Sequence, residues 1–184
     1  MTWRNLERGD PVVHGGGTAA VGSSETFEEF YAREFPAVVS LAFALSGSRT
    51  ASEDLAQEAF LAAHRDWARV AGYERPDLWV RRVVSNKSMS MFRRRYAEAR
   101  ALGRFAFGTA ITLPELPADD AEFWATVRSL PRRQAQVIAL HYLEDRSVAE
   151  IAEILGTVTG TVKKQLHDGR QNLARRLRLE EDDT

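Results

Sequence analysis

Residues 147–170 read SVAEIAEILGTVTGTVKKQLHDGR. They predict a short amphipathic helix, a tight turn at Gly156, and a second helix that begins with polar and basic residues. Ser147 and Glu150 have the spacing of a capping box, in which each side chain satisfies the other residue's orphan backbone N–H. Ala149, Ile151, Ala152 and Leu155 follow at helical spacing, and the small Ala152 lets a second helix cross closely. Gly156 supplies the left-handed residue that ends the first helix. Thr157 or Thr159 can cap the second, whose N-terminus carries partial positive charge suited to a phosphate. Val162, Leu166 and Leu173 are then expected to face inward, with Thr161, Lys163, Lys164, Gln165, His167 and Asp168 outward. This is the layout of a helix-turn-helix DNA reader.

Working outward, 184 residues with 44% apolar content suffice for two small cores. The absence of cysteine excludes disulfides, thiolate zinc and cysteine nucleophiles, and fits a reducing cytoplasm. No signal-peptide pattern opens the chain and no stretch approaches a membrane span. Four scattered histidines offer no evident metal site. A set of Asp54, Glu58 and His64 lacks a second carboxylate–histidine pair to complete it. No paired acid, nucleophile–base set or phosphate loop points to catalysis, so neither an enzyme nor a cofactor is expected.

The net charge of -1 conceals a strong asymmetry. From Arg75 to Arg104 the basic residues include Arg81, Arg82, Lys87, Arg93, Arg94, Arg95 and Arg100, against Asp77 and Glu98. From Glu25 to Asp66 acidic residues dominate, Asp54 and Glu58 among them. One chain therefore offers an acidic-polar face and an arginine-rich face able to grip phosphate.

Residues 1–24 carry Gly15-Gly16-Gly17 and no periodicity, and read as a flexible arm. Thr26 with Glu29 opens a helix that Pro36 should kink or split and Gly47 should stop. Thr50 with Glu53 caps a second helix that ends near Gly72. A third begins about Pro76, with Leu78, Trp79, Val83, Val84 and Met91 on its apolar face, and runs into the arginine cluster. Residues 105–118, with Pro114 and Pro117, suit a linker. Asp119 with Glu122 caps the next helix, which buries Phe123, Val127 and Leu130. Pro131 opens another, with Val137, Ile138, Leu140 and Tyr142 inward. The acidic tail, 180–184, is expected to fray.

The segments "SEDLAQEAFLAAHRDW" (52–67), "DLWVRRVVSNKSMSMFRRR" (77–95), "LPRRQAQVIALHYLEDRSVAEIAEILG" (130–156) and "GTVKKQLHDGRQNLARRL" (160–177), taken in this order, resemble the extracytoplasmic-function (group IV) sigma factors of bacterial RNA polymerase. The resemblance spans about Phe27 to Leu177, and its arginine-rich style is similar to actinobacterial members. It implies an all-α fold of two small helical domains: sigma region 2 over 25–104 and sigma region 4, with the helix-turn-helix, over 119–179. Residues 105–118 then form the flexible linker, flanked by the 1–24 arm and the 180–184 tail.

The resemblance also implies partners and roles. Core polymerase, through its β′ clamp and β flap, and promoter DNA are the partners, with an anti-sigma factor as a further one and no membrane insertion. Asp54, Gln57, Glu58 and Leu61 would dock on the β′ clamp. Trp79, Arg81, Arg82, Asn86, Lys87, Arg93, Arg94 and Arg95 would hold the melted -10 element, although a core role for Trp79 competes with stacking on bases. Lys163, Lys164, Gln165 and His167 would face bases of the -35 element, with Arg133, Arg146, Thr161 and Arg170 as phosphate anchors. Ser90 stands where many members carry Asp, and Gln165 and Asp168 where Arg or another residue is frequent. The competing reading is a stand-alone helix-turn-helix transcriptional regulator; it predicts DNA binding without polymerase and leaves the arginine-rich third helix unexplained.

Overall fold

The computed structural model describes the backbone of residues 25–101 and 118–182, and side chains of residues 25–91 and 121–177. The 1–24 arm, all of the 105–118 linker except Ala118, and the side chains of Arg93, Arg94 and Arg95 lie outside that description. Among the described residues every regular element is a helix: α1 (Phe27–Ser46), α2 (Arg49–Arg65), α3 (Trp67–Val70), α4 (Pro76–Ala101), α5 (Ala118–Ser129), α6 (Arg132–Tyr142), α7 (Val148–Leu155) and α8 (Thr159–Asp182). None is long and apolar enough to cross a membrane.

Local chemistry sets most of the boundaries. Thr26 and Glu29 form the capping box of α1, and Gly47, at φ 68°, ends it. The helix runs unsplit through Pro36, because the carbonyl deprived of its donor belongs to Ala32, an exposed residue that water can reach. Helix α2 is capped by Ser48, whose hydroxyl accepts from the Ala51 N–H, and not by the expected Thr50–Glu53 box. Thr50 and Glu53 lie within the helix, and Glu53 pairs with Arg49 one turn away at 3.0 Å. The helix stops at Asp66, and the single turn α3 carries the chain toward Gly72. Asp119, expected to cap the next helix, lies inside α5. The acidic tail extends the helix: α8 continues through Asp182.

Two cores result. One joins α1 to α4 through Phe30, Val38, Leu55, Phe60, Val70, Trp79, Val80 and Val84. The other gathers Trp124, Val127, Ile138, Leu140, Ile151, Ile154, Val162 and Leu166 from α5 to α8, and also takes in Leu41, Ala44, Leu45 and Leu78 from the first half of the chain. The two halves are therefore packed together, and α4 contributes consecutive residues, Leu78 and Trp79, to different cores. Tyr142, expected inward, is 52% exposed, because α6 ends there and the ring lies over the surface beside His141 and Arg170. Ala149 is also exposed, and Ile154 fills the apolar face of α7 in its place.

Candidate polymerase and promoter-DNA interfaces

Helix α2 turns Leu55, Ala56, Ala59, Phe60 and Ala63 inward. The opposite side carries Asp54, Gln57, Glu58 and Leu61, all exposed. Leu61 is 54% exposed, an apolar residue standing among carboxylates. Such a face suits an apolar groove rimmed by arginines.

The residues assigned to α4 divide. Trp79 is 7% exposed and belongs to the core of α1, α2 and α4, so in this conformation it offers no face for a base to stack upon. Arg81 is buried too, which places it inside an ion cluster and not on an outer face. Arg82 is half-buried; its Nε donates to the Ile154 carbonyl at 3.3 Å and its Nη2 to that of Glu153, two last-turn acceptors of α7. Asn86 and Lys87 are half-buried, and Lys87 reaches Glu58 of α2 at 2.6 Å.

The helix-turn-helix has the geometry its sequence dictates. Ser147 and Glu150 form the capping box of α7, and Gly156 sits at φ 62°. Val158 precedes α8 and its carbonyl accepts from the Thr161 and Val162 N–H groups, so the position expected for Thr157 or Thr159 is held by Val158. Val162, Leu166 and Leu173 are buried, while Thr161, Lys163, Lys164 and His167 project to solvent and Gln165 is half-buried. Lys164 is tied to Asp168 at 2.7 Å and His167 to Gln171 at 3.0 Å. The crossing of α8 over α6 depends on Gly169: a Cβ there would stand 3.2 Å from Ile138 Cγ1. Arg170 is exposed and donates to the Tyr142 hydroxyl at 2.6 Å, and Arg133 is exposed and reaches Gln136 at 3.1 Å. Arg146 faces α4 instead of solvent, bonding Asp77 at 3.0 Å and Glu150 at 3.4 Å.

Between α4 and the helix-turn-helix lies a polar seam. Arg81 Nη1 donates to Glu34 at 2.7 Å and its Nε to Glu144. Arg75 bonds Asp77 through two nitrogens at 3.0 Å each and Glu150 at 2.7 Å. Burial alone would raise the pKa of Glu34 and of Asp77; the facing arginines outweigh it and hold both below the usual range. Glu150, which accepts from the Ser147 N–H, from Arg75 and from the Ser147 hydroxyl, is held down to about 2. Burial depresses Arg81, but Glu144 and Glu34 overcome it and raise its pKa, whereas Arg82, with only backbone carbonyls as direct acceptors, is lowered by burial.

The chain is similar to known proteins in sequence and fold. Residues 30–98 match the model of Sigma-70 region 2, and residues 120–173 that of Sigma-70, region 4. The chain is 28% identical over 155 residues to the ECF RNA polymerase sigma factor SigW of Bacillus subtilis, spanning 77% of this chain and 83% of that protein. It is 30% identical over 167 residues to the ECF RNA polymerase sigma factor SigE of Mycolicibacterium smegmatis, spanning 80% of this chain and 60% of that one. The chain belongs to the ECF sigma factors. Its structure is similar to that of the sigma factor RpoE from Bartonella quintana, solved in complex with the anti-sigma factor NepR. The TM-score is 0.69 at 25% identity, over 83% of this chain and 96% of that one. The fold is also that of CnrH, solved with the cytosolic domain of CnrY, at TM-score 0.63 and 23% identity over 88% and 93% of the two chains.

In this sigma factor, α1 to α4 fall within or around the region 2 match and α5 to α8 within or around that of region 4. The seam is what sequence reasoning missed. Glu34, Asp77, Glu144 and Glu150 bind its arginines across separations of 47 to 75 residues, and nothing in the local sequence marks them as partners.

Proposed function

We infer that this sigma factor confers promoter specificity on core RNA polymerase, without catalysis of its own and in the cytoplasm. Region 2, over 25–104, docks on the β′ clamp through Asp54, Gln57, Glu58 and Leu61. Its α4 holds the unpaired -10 strand with Arg82, Asn86, Lys87 and the Arg93–Arg95 run, joined by Arg81 once its carboxylate partners let go. Region 4, over 119–179, meets duplex -35 DNA end-on with α8: Lys163, Lys164, Gln165 and His167 approach bases, while Thr161, Arg133 and Arg170 anchor phosphates. Residues 105–118 connect the two, and region 4 also meets the β flap. An anti-sigma factor is a further partner, as NepR is of the Bartonella RpoE.

The observation that carries this reading over that of a stand-alone regulator is Leu61, 54% exposed on the acidic-polar side of α2. A regulator acting alone has no use for an apolar residue held out among carboxylates, whereas a docking surface does. Run-off transcription with purified core polymerase on a fragmented genomic library tests it. Discrete start sites should appear with this protein and vanish with Asp54→Arg plus Glu58→Arg; DNA binding without initiation by competent core would instead favour the regulator.

A further inference from the structure

Arg170 of α8 is held by two rings from the end of α6, 28 and 29 residues earlier in the chain. Its Nε donates to the Tyr142 hydroxyl at 2.6 Å, its guanidinium lies 5.5 Å from the centre of the Tyr142 ring, and its Nη2 stands 3.4 Å from His141 Nε2. In its Nδ1–H tautomer His141 donates to the Arg146 carbonyl at 3.1 Å, which leaves Nε2 to accept from Arg170. The two rings themselves meet edge to face, with centres 4.8 Å apart.

These partners carry no charge. Lys164 is neutralised by Asp168 at 2.7 Å, and Arg146 by Asp77 and Glu150. Tyr142 and the neutral His141 instead fix the Arg170 side chain and leave its positive charge uncancelled. A guanidinium has five N–H groups, and one is directed at each ring, so the others remain for the oxygens of a phosphate. Tyr142, at 52% exposed, contributes little to the core, and the cation over its face accounts for where the ring lies. Lys163, His167 and Arg170 are all exposed and share one stripe of α8, at i, i+4 and i+7. Arg170 lies about 10 Å behind Lys163 along the helix axis. For a helix that enters a major groove about 12 Å wide by its N-terminus, that offset carries Arg170 from the base edges to the phosphate wall.

We propose that Tyr142 is a positioning residue for the phosphate anchor Arg170: its hydroxyl takes the Nε donor and its ring carries the guanidinium, so that the fork is already aimed when a backbone phosphate of duplex DNA arrives. His141 completes the cradle from the Nη2 side. An arginine with no such support gives up its rotamer freedom on binding, whereas here that freedom is already restricted in the free chain. The inference rests on the phosphate role given to Arg170 above, and the two are tested separately.

Fluorescence anisotropy of the full-length protein on a duplex of arbitrary sequence at low salt reads the effect, because phosphate contacts do not depend on sequence. Tyr142→Phe removes the hydroxyl and keeps the ring. It should weaken binding about threefold to tenfold, the cost of immobilising one long side chain. The slope of log affinity against log salt should stay unchanged, since no cation is lost. Arg170→Ala should lower both affinity and slope, and Tyr142→Phe added to it should bring no further loss. A merely structural role for the hydroxyl, or its own direct contact with DNA, would weaken binding equally with and without Arg170, and that result overturns the proposal. Unchanged affinity in Tyr142→Phe, where Arg170→Ala does weaken binding, overturns the positioning role and leaves the anchor standing. Unchanged affinity and slope in Arg170→Ala overturn the anchor, and the positioning role with it. Circular dichroism on each variant, matched to the parent, keeps unfolding from imitating lost binding.

Discussion

Replacing Gly169 probes how α8 is set on α6. A Cβ at this position would lie 3.2 Å from Ile138 Cγ1 and 3.4 Å from Gln134 Cβ and Ile138 Cδ1. Ile138 is fully buried, so it can yield by only a few tenths of an ångström. For Gly169→Ala the tight contact opposes a helix-propensity gain of about 1 kcal/mol, and the two nearly cancel. Gly169→Val adds two methyl groups where one is already crowded, an overpacking cost of about 1–3 kcal/mol. It also gives up about 0.5 kcal/mol of propensity relative to alanine. The valine variant should thus be about 2–3 kcal/mol less stable than the alanine variant. For a chain of this size melting as one unit, that corresponds to roughly 5–10 °C in Tm. Thermal unfolding followed by circular dichroism reads the difference, and fluorescence anisotropy on a duplex reads whether displaced α8 residues lose DNA. A valine variant melting at or above the alanine variant would refute the close-approach argument.

Four further outcomes follow from the geometry. Ser147→Ala removes the N-cap of α7 and should lower stability by about 1 kcal/mol in urea titration, while Ser147→Thr retains most of it; equal loss from both would contradict the cap assignment. Leu61→Arg, at an exposed position, should leave Tm unchanged yet weaken binding to core polymerase; a large drop in Tm would mean that Leu61 packs inward. Arg170→Ala, at an exposed position, should reduce the slope of log affinity against log salt on duplex DNA by about 0.9, the share of one phosphate contact; an unchanged slope would remove Arg170 from the phosphate anchors. Asp77 and Glu150 have pKa values lowered in part by arginines of the opposite half, Arg146 and Arg75, so protonation favours separation: their contribution across the seam is present at neutral pH and is lost as pH falls through the lowered pKa values, about 2 for Glu150, read by energy transfer between dyes on the two halves. Tighter packing on acidification would show the sign to be wrong.

The helix-turn-helix was legible because its determinants are local. A capping box spans three residues, a left-handed turn needs one glycine, and an amphipathic stripe repeats within two turns. Legibility faded where two local signals competed. Ser48 and Thr50 are both plausible caps for α2, and the first is used. Val158, a residue with no capping side chain, holds the place where threonines on either side looked better suited. At α6 the period itself misled, since Tyr142 falls on the apolar stripe but lies past the end of the packed surface. The exposed α2 face followed from its charge pattern. The seam did not, because charged side chains are ordinarily at the surface, and only the folded chain brings Arg81 against Glu144, 63 residues away.

Leu78 and Trp79 are neighbours on α4 yet fill separate cores. Consecutive positions on an α-helix differ by about 100° around its axis, so one inserted or deleted residue between Trp79 and Val84 would turn Leu78 and Trp79 together out of phase with the rest of the helix. Neither half could absorb the error, because the same rod carries the register of both. Substitution along α4 can be judged position by position, but its length near the N-terminus is fixed, and gaps in alignments of related chains should fall outside that turn.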